Sequence, residues 1–356
     1  MARQRGERRW RWASLLTLLL LAGCTGPSPS PSPPTTLRLM THDSFAVSDE
    51  VLAQFESEHG VSVEILRAGD AGAMLNQAIL TRSAPLAHVL FGVDNTFLSR
   101  ALEAEIFVPY RSPQLEHVPA ALDIDPQGRV TPIDYGDVCL NIDRSAFEGE
   151  LPLPVRLEDL TDPAYAGMLV VQNPATSSPG LAFLLATVAR FGEEGDYTWR
   201  DYWADLRRND VLVTAGWEDA YNGAFSAGAG EGDRPIVVSY ATSPAAEVYF
   251  AEPQPAEAPT LALMDGCFRQ VEFAGILAGS GGGEVAQAFV DFMLSPAFQE
   301  DIPLNTFVFP ASSEAELPAV FVEHAQAADE PISLDAAEIG SGRERWIEEW
   351  TDVVLR

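Results

Sequence analysis

The sequence predicts a layered α/β fold arranged as two lobes. Two runs of alternating strand and helix patterns predict it: the first begins at Leu37 and the second begins after Asp134. About 320 residues follow the proline-rich segment near the N-terminus, which is more than one hydrophobic core usually holds. We therefore expect one lobe from residues 37–134 plus 270–304 and the other from residues 136–268 plus 305–356.

The first run starts with a strand and a capped helix. Residues 37–41 alternate between apolar and polar side chains, as a half-buried strand does. Ser48 is placed to cap the next helix, whose first turn is acidic, and Gly60 is placed to end it. Asn95 is a candidate cap for a later helix that runs to Ala104. The remaining patterns are strands at 61–65 and 87–92 and a helix at 71–81.

The second run predicts five further strands and three helices. Hydroxyl residues followed by proline mark the start of a helix just after Ser177. The apolar-rich run 270–277 predicts a strand that returns from the second lobe to the first. The other strand patterns are at 138–142, 169–172, 211–214 and 236–240, and the other helix patterns are at 286–293 and 343–355.

The N-terminus has the pattern of an export signal. Residues 1–12 contain five arginines, and the apolar segment 13–22 is too short to span a bilayer as a helix. The small residues before Cys24 resemble the lipobox of bacterial lipoproteins, whose cysteine is lipidated and becomes the mature N-terminus. We therefore expect a lipoprotein signal peptide at 1–23 and a Pro/Ser tether at 24–36, with the protein anchored at the outer face of the bacterial cell membrane or in the periplasm. An ordinary cleaved secretory signal is the alternative.

The chain is strongly acidic. All 22 basic residues are arginine, and 52 acidic residues give a net charge of −30. Without residues 1–23 the balance is 17 basic against 51 acidic residues, or −34. Such a surface repels nucleic acid, because nucleic-acid binding depends on Lys and Arg to neutralise phosphates. It attracts small cations, although a solvated acidic surface without any ligand fits the composition equally well.

Two cysteines remain once Cys24 is assigned to the lipid. Cys139 and Cys267 lie at the starts of strands that flank the predicted crossings between the lobes. An exported protein meets an oxidising compartment, which favours a disulfide between them. Two free thiols are the alternative.

The sequence carries no catalytic or metal-binding signature. Ser226 and Ser280 have Ala two residues upstream and so lack a nucleophile elbow. The five histidines are scattered without the spacing of a zinc-binding helix, and no phosphate-binding or dinucleotide glycine pattern occurs. We therefore expect a solute-binding protein with no cofactor and no metal, rather than an enzyme.

Five segments, in a fixed order, resemble the thiamine-binding periplasmic proteins of ABC importers. The most specific parts are Ser-Pro-Gly at 178–180, Gly-Trp at 216–217 and Ser-Tyr-Ala-Thr-Ser-Pro at 239–244. The resemblance implies a bilobal type II periplasmic-binding-protein fold, a monomer whose two lobes are joined by a hinge. It also implies that the lobes close over thiamine or its phosphates and deliver them to an ABC permease. The segments are 41–45, 91–95, 132–136, 172–180, and 214–221 with 238–244.

The chemistry of thiamine matches residues in these segments. Thiamine is a flat cation, and an aromatic face attracts a cation by about 0.5–2 kcal/mol. Acids at strand ends lie where open α/β sheets bind ligands, and N–H groups at a helix start suit a phosphate. The resemblance thus implies the following binding residues: Trp217, Tyr221 and Tyr240 as aromatic faces, Asp43, Asp94 and Asp134 as acids, Ser177, Ser178 and Gly180 at a helix start, and His42 and Phe307 where the family has aromatics.

Several of these residues have structural alternatives. Trp217 and Tyr221, four residues apart, also fit one helix face packed into the core. Asp43 and Ser177 also fit as helix caps.

The chain departs from the family at four positions. His42 replaces the usual Tyr, Phe307 the usual Trp and Ala246 a frequent Tyr, and no Trp occurs near Ser48. The aromatic box is therefore thinner than in the best-known members.

Three other functions compete with thiamine binding. A polyamine receptor also needs aromatics and acids, but it does not need a phosphate-binding helix start. A ferric-ion receptor of the same fold uses neighbouring tyrosines, and no Tyr-Tyr pair occurs in this chain. A secreted α/β hydrolase is disfavoured by the missing nucleophile motif.

Overall fold

One mixed sheet runs through the whole fold. The computed structural model describes residues 35–228 and 230–356, so the predicted signal peptide 1–23, Cys24 and most of the tether 24–36 lie outside the described residues. Over the described ranges the sheet has ten strands: β1 (Thr36–Thr41), β2 (Ser62–Arg67), β3 (Val89–Asp94), β4 (Phe107–Val108), β5 (Thr131–Asp143), β6 (Leu169–Gln172), β7 (Leu212–Thr214), β8 (Ile236–Tyr240), β9 (Thr260–Leu277) and β10 (Phe309–Pro310).

Helices cover this sheet, and the first one begins and ends as its sequence predicts. Ser48 Oγ accepts the Val51 N–H at 3.4 Å, and Gly60 ends the helix at φ +65°. In the parts of the chain that the structure describes, no helix is both long and apolar enough to cross a membrane. The α-helices are α1 (Asp49–His59), α2 (Ala71–Leu80), α3 (Leu98–Glu103), α4 (Ser178–Phe191), α5 (Trp199–Arg208), α6 (Ser243–Phe250), α7 (Gly283–Met293), α8 (Pro296–Asn305), α9 (Ala319–His324) and α10 (Ala336–Leu355).

The strand order is β2-β1-β3-β9-β5-β8-β6-β7. Of the two remaining strands, β4 pairs with β9 and β10 pairs with β5. The long strands β5 and β9 are antiparallel to each other and extend through both halves of the sheet. The half of β9 at 272–276 pairs with β3, whereas the half of β5 at 138–142 pairs with β8. This is the two-lobed type II periplasmic-binding-protein arrangement. The boundaries 37–134 plus 270–304 and 136–268 plus 305–356 stay a prediction.

The helix that was predicted to start at Asn95 begins later, at Leu98. Asn95 does not cap it, because its side chain pairs with the backbone of β9. Its Nδ2 donates to Arg269 O at 3.0 Å, and its Oδ1 accepts the Val271 N–H at 3.0 Å. Asn95 thus extends the β3–β9 pairing beyond the last residue of the strand.

The crossing strands are cross-linked where their register shifts. Cys139 on β5 and Cys267 on β9 form a disulfide, with the Cα atoms 4.4 Å apart. The β5–β9 register shifts between Val138 and Leu140, beside this bond. Next to it, Arg269 Nη2 donates to the buried Asp137 carboxylate at 3.0 Å. The disulfide therefore ties together the two strands that connect the halves of the sheet.

Replacing both Cys139 and Cys267 by Ser should lower the free energy of unfolding by about 2–5 kcal/mol. The bond closes a long chain segment, with a sequence separation of 128 residues, and so restricts the unfolded chain. Denaturant unfolding of the purified protein measures the difference, with Cys24→Ser as the control that should unfold like the wild type. Alkylation of Cys139 and Cys267 without a reductant would contradict the bond.

Candidate ligand-binding cleft

A cavity of about 680 Å³ opens at the carboxyl ends of the parallel strands. This volume lies in the range of small-molecule sites, and open α/β sheets bind ligands at this edge. His42 follows β1, Trp217 follows β7 and Tyr240 ends β8, so each reaches the cavity from a strand end. Both halves of the sheet contribute to the lining.

Three carboxylates form one row across the sheet, and one of them, Glu272, lines this cavity. Glu272 on β9 lies directly opposite Asp94 on β3 and opposite Asp134 on β5. Residues opposite each other on paired strands project to the same face, where like charges repel. A register shift follows Phe91 on β3, and another follows Pro132 on β5, shortly before each aspartate.

Burial changes the ionisation of all three acids. It raises the pKa of Asp94 to about 6 and that of Asp134 to about 7. Burial also raises the pKa of Glu272 well above its ordinary value, and the neighbouring Asp134 adds to this effect. The row therefore keeps protons at pH values at which solvent-exposed carboxylates have already lost theirs. A cation in the cleft would favour the charged form of these acids.

His42 lies beside the acid row, the name we give to Asp94, Asp134 and Glu272. Its Nε2 lies 3.6 Å from Glu272 Oε1 and has no hydrogen-bond partner among the residues that the structure describes. The His42 ring packs where a side chain at position 92 would be, since a Cβ there would lie 2.3 Å from the ring. Gly92, at φ +100°, thus makes room for His42.

Aromatic side chains form the opposite wall. The rings of Trp217 and Tyr221 stack with centroids 4.8 Å apart and planes 14° apart. Trp217 Nε1 donates to Ser239 Oγ at 3.0 Å, and Tyr240 Oη donates to Gln270 Oε1 at 3.2 Å. Trp217 and Tyr221 therefore pack on each other, as the structural alternative proposed, and also line the cavity.

The start of α4 reaches the cavity through Ser178 and Pro179. The hydroxyls of Ser177 and Ser178 are buried, and neither has a hydrogen-bond partner within the described residues. Ser177 occupies the cap position but makes no side-chain cap bond. Gly180 packs against β6, where a Cβ would lie 2.5 Å from Gln172 O. Its role in the structure is close packing of helix on strand.

The predicted binding residues fall into three groups. His42, Ser178, Trp217, Tyr221, Tyr240 and Phe307 line the cavity. Asp94, Asp134 and Ser177 lie buried outside the lining, and Gly180 lies in the packing of α4. Asp43 is exposed outside the cavity, where its Oδ1 accepts the Gly69 N–H at 3.0 Å.

Sequence reasoning missed the acids that do line the cavity. Asp70 accepts the Trp217 N–H at 2.9 Å, Glu247 bonds the Tyr221 hydroxyl, and Glu218 and Glu272 complete the set. No arginine occurs among the lining residues that the structure describes. One signal for Glu272 was present in the sequence, since it is the acidic residue within the apolar-rich run 270–277. The lining as a whole favours a cationic ligand.

Comparisons with known proteins show which family this chain resembles in sequence and fold. A family model described as bacterial extracellular solute-binding protein matches residues 84–335. The chain is 30% identical to a thiamine-binding periplasmic protein of Escherichia coli (strain K12), over 96% of this chain and 98% of that one. It is 31% identical to a thiamine-binding periplasmic protein of Brucella suis biovar 1 (strain 1330), over 97% of this chain and 100% of that one. A solved structure of a periplasmic thiamin binding protein superimposes with a TM-score of 0.78 at 28% identity, covering 93% of this chain and 99% of that one.

Asp134→Asn should change how stability depends on pH. The pKa of Asp134 is about 7 in the folded protein and near 3.8 in the unfolded chain. Between these values the folded state binds more protons, so this carboxyl makes the free energy of unfolding fall as the pH rises. The variant lacks this carboxyl. Its free energy of unfolding, relative to that of the wild type, should therefore rise by about 1–3 kcal/mol from pH 4.5 to pH 7.5.

Denaturant unfolding across this pH range measures the gain. Asp43→Asn is the matched control, because Asp43 is exposed and lies outside the row of buried acids. Parallel curves for wild type and Asp134→Asn would contradict the prediction.

Proposed function

Since this chain belongs to the bacterial extracellular solute-binding protein family, we propose that it captures thiamine or a thiamine phosphate in the cleft and delivers it to an ABC permease. It is a solute-binding protein that works outside the cytoplasm, not an enzyme. The observation that carries the choice of ligand is the cavity lining, which combines aromatic faces with carboxylates. Relatives named for thiamine binding support the same choice.

The cleft suits the charge of thiamine. Thiamine carries a permanent positive charge on its thiazolium ring, and Asp70, Glu218 and Glu272 present carboxylates around the cavity. Trp217 and Tyr240 present aromatic faces to the same space, and a cation over such a face gains about 0.5–2 kcal/mol. The rings would lie against these two residues, with the cation toward the acids.

The hydroxyethyl arm would point toward the start of α4. Ser178 lies there with its buried hydroxyl beside Asp94, and the helix N-terminus adds its N–H groups. A phosphate on the arm would use these donors, whereas unphosphorylated thiamine would not need them.

A lipid on Cys24 would keep the receptor near its permease. The tether 24–36 would let a monomeric receptor reach the transporter while remaining attached to the membrane.

A second candidate ligand is a polyamine. Four lining carboxylates favour a polycation as well as a monocation. Calorimetry of the purified protein with thiamine, thiamine phosphates and spermidine separates the two candidates. Binding of spermidine alone would replace thiamine as the ligand, and no binding of any thiamine form by folded protein would overturn the proposal.

Trp217→Ala should weaken thiamine binding by about 1–3 kcal/mol, because the ligand loses both apolar contact and cation–π attraction. Titration calorimetry measures the change. Tyr197→Ala is the control, since Tyr197 is an exposed aromatic that packs on Phe191 outside the cavity. Equal affinities for wild type and Trp217→Ala would show that Trp217 serves only the packing of the core.

Ser178→Ala should weaken thiamine monophosphate binding about tenfold and leave thiamine binding nearly unchanged, since the variant keeps the backbone N–H groups and removes the Ser178 hydroxyl, a donor that only the phosphate needs. Ser177→Ala is the matched control, because Ser177 is buried outside the lining. Calorimetry with both ligands tests the difference. Equal losses for both ligands would instead assign Ser178 a structural role.

A further inference from the structure

The rim of the cleft carries an exposed aromatic side chain. Phe250, the last residue of α6, is 69% exposed and yet lines the cavity. Burying such a ring stabilises a protein or a complex. Leaving it in water at the entrance of a binding site is costly unless something covers it.

Helical spacing places Phe250 on the ligand side of α6. Residues four apart lie on one helix face, and both Ala246 and Phe250 line the cavity. Ala246 itself presents no ring to the cavity. Phe250 supplies a ring one helical turn further along the same face.

Two other aromatics hold this ring in place. The Phe250 ring lies 5.3 Å from Phe307 and 5.1 Å from Tyr249, and Tyr249 lies 5.8 Å from Phe307, measured between centroids. We name Tyr249, Phe250 and Phe307 the aromatic lip. The lip fixes Phe250 from one side and leaves ring surface open to the cavity.

The lip also joins two separate elements. Phe307 has φ +54°, a conformation that costs free energy for a side chain with a Cβ and is frequent at functional sites. Thr242 Oγ1, at the start of α6, donates to Phe307 O at 2.5 Å. The loop that carries Phe307 is thereby held against the helix that carries Phe250.

From this arrangement we propose that Phe250 is a ligand-contacting residue that covers the flat ring of a heteroaromatic cation in the cleft. It favours flat aromatic cations over flexible aliphatic polyamines, which have no ring to stack. The inference rests on the proposed function, since it concerns the same cleft. Phe250 covers the ligand from the rim, while Trp217 and Tyr240 contact it from the wall.

The test is calorimetry of the purified protein with thiamine and with spermidine. Phe250→Ala should weaken thiamine binding about tenfold or more and change spermidine binding less than about threefold. Phe250→Trp, which keeps an aromatic face, should retain thiamine affinity within about threefold. Val322→Ala is the control for exposure, because Val322 is 68% exposed and lies outside the cavity lining.

The outcomes separate this inference from the proposed function. If the wild type binds thiamine and Phe250→Ala binds it equally well, the inference fails and the proposed function stands. The inference would also fail if Phe250→Ala kept its thiamine affinity but gave lower uptake through a reconstituted importer. Phe250 would then belong to a surface that docks on the permease. If the folded wild type binds no thiamine form, the proposed function fails first and the inference fails with it.

Discussion

The antiparallel pairing of β5 with β9 is the constraint on which the rest of the structure depends. These two strands cover residues 131–143 and 260–277; β9 pairs with β3 and β4 over 272–277, whereas β5 pairs with β8 over 138–142. They therefore carry the connection between the lobes and also bring Asp134 and Glu272 opposite each other. The disulfide and the Asp137–Arg269 ion pair fix the same pairing at its register shift. The strands that connect the lobes thus also carry two acids of the row, of which Glu272 lines the candidate cleft.

The acid row makes this arrangement costly. Three carboxyls opposite one another on adjacent strands cannot all ionise in a buried place without strong repulsion. Burial raises the pKa of Asp94 and Asp134, and the neighbouring Asp134 adds to the rise for Glu272, so the folded protein keeps protons in the row. A ligand cation that lies over Glu272 would relieve this repulsion. It would therefore favour the charged form of the acids, and the charged acids would in turn attract the cation. The site is in this sense already arranged for positive charge.

Much of the fold is readable from local patterns, whereas the site is readable only in part. The cap at Ser48, the helix end at Gly60 and the strand within 270–277 follow from residue chemistry and periodicity, which depend on near neighbours in the chain. Asn95 was misjudged because its partner is β9, about 175 residues away. Phe250 was missed because no pattern within α6 tells which exposed side chain faces a cavity formed by distant segments.

Register explains why the acid row itself is hidden in the sequence. A shift of one residue moves every later side chain of a strand to the other face of the sheet. The irregularity after Phe91 leaves Gly92 as an extra residue on β3, and the one after Pro132 leaves Ile133 as an extra residue on β5. These two bulges place Asp94 and Asp134 in one row with Glu272, and bulges are frequent next to active sites for this reason. The alternation of apolar residues predicts each strand but not its bulge. Each acid can therefore be identified from the sequence, but only the pairing of the strands shows that the three lie in one row.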